Sequence, residues 1–140
     1  MEIDFLERCD VIEECYEFLL GYAAQGLPTD DGSPAGREAR THVQNARKAL
    51  IGLADSCRHA LTTQQLELTS PYDAFCSMLD RDVRDSLAAI ELVLAQPALS
   101  SQLIDNLNAS SHLRTLLTDL FLVGEILRAR ERVVVATERE

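Results

Sequence analysis

The sequence predicts an all-α fold, an antiparallel up-and-down four-helix bundle with one short extra helix before the last long helix. Three observations lead there. First, apolar residues recur in alternating steps of four and three, as in Phe5, Cys9, Ile12, Tyr16, Leu19, Ala23 and in Ala39, Val43, Ala46, Leu50, Leu53, Cys57, Ala60. Such steps line one face of an α-helix, because 3.6 residues make a turn. Second, four segments carry stripes of this kind, and matched stripes are most simply buried against one another. Third, aromatic residues make up only 5% of the chain and Trp is absent, which suits a core of Leu, Ala, Val and Ile.

The first helix is predicted over Ile3–Gln25. Gly26 supplies a C-terminal cap, and Pro28 stops further winding. Leu27 to Gly36, LPTDDGSPAG, is the richest turn-forming stretch in the chain. Within it Ser33-Pro34 reads as an N-cap followed by proline at the first helical position. A second helix is expected from Pro34 or Arg37 to Leu61. Thr62 to Thr69 lacks helical punctuation and is read as a crossing at one end of the bundle.

Ser70-Pro71-Tyr72-Asp73 is another helix start, with serine at the cap, proline next, and an acid that favours the helix dipole. The third long helix runs from there to Ala95, with Cys76, Leu79, Val83, Ile90 and Val93 on its stripe, and Gln96-Pro97 ends it. A short helix is expected over Ser101–Leu107, from Leu103, Ile104 and Leu107. Ser110 and Ser111 then cap a final helix over His112–Val134. Residues 1–135 are read as one helical domain and 136–140 as a frayed tail.

Charge narrows the function classes. With 23 acidic and 13 basic residues the formal net charge is −10, and such a surface repels phosphate backbones and anionic lipid. Nucleic acid and membrane are therefore not expected partners. The longest apolar runs, such as 120–123 and 133–136, are four residues, far short of the roughly 20 that span a bilayer. MEIDFLERCD has neither the basic run nor the apolar core of a secretory signal. Four cysteines in that setting point to reduced thiols and a cytoplasmic location.

The cysteines are the first place to seek chemistry. An antiparallel hairpin of the first two helices sets Cys9 level with Cys57, and the third helix starts with Cys76 at the same end. Cys9, Cys57 and Cys76 are thus a candidate metal or small-ligand site, with Cys15 about two turns deeper. None of them lies in a Cys-x-x-Cys pair, and buried cysteine commonly serves as a small apolar side chain. Di-iron chemistry requires Glu-x-x-His pairs on facing helices, and the chain has none. Phosphate loops, nucleophile elbows and dinucleotide fingerprints are also missing. No catalytic residue, cofactor or resident metal is expected on these grounds.

Arg37 and His42 have a spacing similar to the Arg-x4-His motif of the HEPN ribonucleases, which are small all-helical domains. In that family the motif sits near the start of a late helix and works across a dimer. Here it opens the second helix and lacks the polar residue commonly found beside the arginine. The resemblance is confined to these two residues and implies a nuclease or an inactive relative.

The last helix carries the clearest functional signal. Leu116, Leu120, Val123 and Leu127 make one stripe, yet Leu117, Phe121, Leu122 and Ile126 add a second row beside it. So wide an apolar face implies cover on two sides, by the short helix or by another subunit. Gly124 within it permits close helix approach, at a cost of about 1 kcal/mol relative to Ala. Leu117, Phe121, Leu122, Gly124 and Ile126 are the candidate interface. Phe18 and Tyr22, off the stripe of the first helix, are a further candidate partner-facing patch. The sequence thus favours a non-enzymatic protein acting through protein contacts, as adaptor, regulator or assembly helper, and forming a homodimer. The identity of any other protein partner is not legible.

Overall fold

In the computed structural model, residues 5–64 and 70–138 are described. They are about 85% helical, with no strand among them. Six helices follow in order: α1 Phe5–Ala24, α2 Pro34–Leu50, α3 Leu53–Thr63, α4 Ser70–Leu94, α5 Ser101–Ala109 and α6 Ser111–Glu138. α1 packs against α2, α3, α5 and α6, and α4 packs against those same four helices.

Local chemistry sets the helix ends. Gly26 turns the chain out of α1 with φ +66°, a backbone state that costs glycine little. Ser33 caps α2, its Oγ accepting from the Gly36 amide at 3.0 Å, with Pro34 next in line. Ser100 caps α5 by accepting from the Leu103 amide at 3.0 Å. α6 continues as helix to Glu138, past Val134, so the stretch read as a tail is helical as far as it is described. The crossing read over Thr62–Thr69 lies outside the described residues except at its start, where Thr62 and Thr63 finish α3.

The predicted second helix is two helices. Ile51 leaves helical geometry with ψ 116°, and Gly52 takes φ +82°, where an L side chain is strained. The apolar stripe runs on across the break, so periodicity could not reveal it. Arg8 holds it instead. Its Nη1 donates to the carbonyls of Ala49 at 3.0 Å and Ile51 at 2.9 Å, satisfying acceptors that the interrupted helix leaves open.

The buried face of α1 also differs from the expected stripe. Phe5, Cys9, Ile12 and Leu19 are buried as predicted, but Cys15 and Tyr22 join them, while Tyr16 and Ala23 are only partly covered. The cause is α5, which packs on α1 and widens the buried face. Tyr22 donates its hydroxyl to the Leu99 carbonyl at 2.6 Å. Ser101 Oγ donates to the Tyr22 carbonyl at 2.7 Å and accepts from the Leu27 amide at 2.9 Å. Asn108 Nδ2 donates to the Leu19 carbonyl at 3.1 Å. These bonds clasp α5 along the second half of α1, each contributing about 1 kcal/mol. Burial of leucines such as Leu50, Leu61, Leu79 and Leu116 contributes about 2 kcal/mol apiece.

Candidate functional site

α6 presents two different sides. Its inner side buries Leu113, Leu116, Leu120, Val123 and Leu127. Its outer side exposes Phe121 (57%), Leu122 (56%), Ile126 (43%) and Val133 (60%). Leu122, Ile126, Ala129 and Val133 follow steps of four, three and four, so they form one stripe along a flank of the helix, about 130° around from the core side. Phe121 lies about 100° around the helix from Leu122 and stands beside that stripe.

Two of the five predicted interface residues do not face outward. Leu117 is buried in the core, because the inner face is broad enough to take it in. Gly124 is buried too, under the side chain of its own helix's Arg128, whose Nη1 would lie 2.9 Å from an added Cβ. Gly124 therefore accommodates a guanidinium rather than a neighbouring helix. Arg128 continues to Asp10 of α1 at 3.7 Å. Of the other predicted patch, Tyr22 is fully buried and Phe18 stacks on His42, with ring centroids 4.5 Å apart.

The thiols converge as expected. Cys9, Cys57 and Cys76 are all buried and unbridged. Cys57 and Cys76 lie near enough to act on one another, and Cys9 near enough to act on Cys57. Burial, ahead of those contacts, pushes the Cys57 thiol well up, and it pushes Cys15 up to about 12. Metal ligation requires thiolates, and this environment favours the neutral thiol. Among the described residues no group of three or more His, Cys, Asp or Glu is placed to hold a metal ion. The void beside Cys15 is about 10 Å³, no larger than one water needs.

Arg37 and His42 are not brought together. Five positions apart on α2, they project about 140° from one another. Arg37 is exposed, and His42 packs on Phe18 of α1. At the far end of α1 an open depression of about 500 Å³ is lined by Leu20, Ala24, Leu27, Ser101 and Asp105.

One polar pairing was not read from the sequence. Asp119 of α6 is buried, and the carboxyl that acts on it is that of Asp82 on α4. An acid inside the apolar run LLTDLFLV was the available signal. Its partner, 37 positions away and one of 23 acids, carried none.

No protein-family model, curated protein or solved structure matches the chain. Its described residues make an all-helical protein of six helices, with an apolar outer face on the last of them.

Proposed function

We propose that this is a non-enzymatic interaction protein that forms a homodimer through the outer face of α6. In this reading α1, the broken rod α2–α3, α4 and α6 make an antiparallel four-rod bundle, and α5 is a lid on α1. The observation that carries the reading is the exposed stripe of Leu122, Ile126 and Val133. Together with Phe121 it leaves on the order of several hundred Å² of apolar surface in water, which soluble monomers rarely do. A two-fold pairing of identical faces is the commonest way to cover such a stripe. Four unbridged thiols fit a reducing compartment such as the cytoplasm. No helix among the described residues is long and apolar enough to cross a membrane.

Light scattering across a concentration series tests the proposal. The chain is expected to run as a dimer, and Leu122→Glu or Ile126→Glu to give folded monomers. A monomer at high concentration would overturn the dimer. Zinc or iron retained in stoichiometric amount through purification would instead favour a ligand-binding bundle centred on Cys9, Cys57 and Cys76.

A further inference from the structure

Asp119 stands between Leu116, Leu120 and Val123 on the core side of α6 and is 4% exposed. Across the seam is Asp82 of α4, half-buried. Oδ2 of Asp82 and Oδ2 of Asp119 are both buried, and neither accepts a bond from an N–H or hydroxyl. Two carboxylates so placed repel each other and lose hydration without compensation. One proton removes the conflict, because a protonated carboxyl donates to its ionised neighbour.

The charged groups around the seam are engaged elsewhere or face water. On α4, Arg84 pairs with Asp80 at 2.8 Å, while Arg81 and Asp85 are exposed. Arg58 of α3 pairs with Asp73 at 3.0 Å, and Arg47 of α2 with Glu91 at 3.3 Å. On α6, Arg128 reaches Asp10 of α1, Arg130 donates to the Gln64 carbonyl, and His112 and Arg114 are exposed. Asp105 of α5 is exposed, and Glu13 of α1 feels Arg128 and its own neighbours. The ionisable group that acts on Asp119 is Asp82.

We propose that Asp119 keeps its proton in the folded chain and donates it to the Asp82 carboxylate, a latch between α4 and α6 that weakens when this proton leaves. Only an O–H bond breaks, and the proton passes to water or a buffer base at the half-exposed Asp82. Burial first, and the adjacent carboxyl second, push Asp119 from 3.8 up to about 7. Between those values the folded chain holds a proton that the unfolded chain has released, so stability falls as pH rises across the interval. Above about 7 both states have lost it, and below 3.8 both carry it, so the dependence vanishes at either end. The latch stands on the carboxyl pair alone and does not require self-association.

Urea unfolding of the full chain from about pH 4 to about pH 9, at fixed protein concentration, tests it with Asp119→Asn as reference. The introduced amide donates to Asp82 as the protonated acid does, without titrating. Relative to that variant, the parent chain is expected to lose up to about tenfold in its folding constant per pH unit within the interval, and nothing further above it. Carbon-13 titration of the unsubstituted protein provides a second readout, with the Asp119 carboxyl titrating near neutrality. Amides around Leu116–Val123 are then expected to exchange faster above that point, after correction for base catalysis. Parallel pH profiles for the two chains, an Asp119 carboxyl titrating near its ordinary value, or unchanged exchange would overturn the latch. Leu122→Glu separates this from the dimer reading. If that monomeric chain keeps the slope, the latch holds; if the slope disappears, the pH dependence belongs to self-association and the latch is overturned.

Discussion

Asp30 Oδ2 lies 2.7 Å from Nε of Arg40, and this pair fastens the loop after α1 to the second turn of α2. The other carboxylate oxygen, Oδ1, accepts from the Leu99 amide at 2.7 Å. One side chain thus joins the α1–α2 loop, α2 and the entry to α5. Asp30→Ala leaves a buried amide and a half-buried guanidinium without their acceptor. The expected loss is about 2–3 kcal/mol by chemical denaturation at neutral pH. Arg40 holds the Asp30 carboxyl below its ordinary value of 3.8. Its contribution is therefore complete above that value and fades as pH falls through the lower folded one. In strong acid the parent chain and the variant should converge in stability, and a constant gap would refute the pairing.

Gly36 is required by the same junction. A Cβ there would collide with the backbone of Asp30, which cannot yield as the end of a flexible side chain would. Gly36→Ala should cost about 1–3 kcal/mol, near the upper figure, whereas Glu38→Ala, two residues on and exposed to solvent, should change little. Thermal unfolding of the two variants side by side is the check. Equal Tm values would show that the loop is not seated on α2 as described.

What was legible in the sequence is local. Ser33-Pro34, Gly26 and Pro97 punctuate helices through bonds and sterics acting within a few residues, so their signals survive without a structure. The break at Ile51-Gly52 did not show, because Leu50, Leu53 and Cys57 keep helical spacing across it and Arg8, which satisfies it, lies more than 40 positions away. Tyr22 was misplaced for a similar reason: its burial is created by Leu99 and Ser101, which are remote in sequence. On α6 the excess width of the apolar face was readable, and Phe121, Leu122 and Ile126 are indeed exposed. Which members of the second row turn inward was not, since only packing decides that Leu117 joins the core. The convergence of Cys9, Cys57 and Cys76 followed from helix register alone. The Asp82–Asp119 contact depends on how α4 and α6 are set against each other, which no periodicity encodes.

The thiols provide a third prediction. All four cysteines are buried, and burial keeps Cys15, Cys57 and Cys76 protonated at neutral pH. A thiol reagent at about pH 8 should react only as fast as the chain opens, and all four sites should appear together in denaturant. Cys57→Ala leaves a small void beside Cys76, at a cost of about 1–2 kcal/mol. A chelator should not move Tm. Rapid reaction of one thiol in the native state would show that the cluster is open to solvent.

The outer face of α6 gives the last prediction, which separates residues within the stripe from those beside it. Leu122, Ile126 and Val133 project in nearly one direction, whereas Phe121 points about 100° away from Leu122. Phe121 is nonetheless as exposed as Leu122, so exposure alone would rank the two equally. A pairing of α6 with a second copy along the stripe ranks them differently, since side chains at the centre of an interface dominate its energy and those at the rim contribute little. Leu122→Ser and Ile126→Ser should each weaken the dimer by about 10–100-fold in dissociation constant, Phe121→Ser by less than about tenfold. Sedimentation over a dilution series reads all three. Glu125 and Arg132 bridge at 2.8 Å on the Phe121 side, and as an exposed pair they should add little, so Arg132→Ala should leave the dimer intact. If Phe121→Ser proves the most damaging of the set, the contact surface runs along the other flank of α6, and the stripe through Leu122 and Ile126 is not its centre.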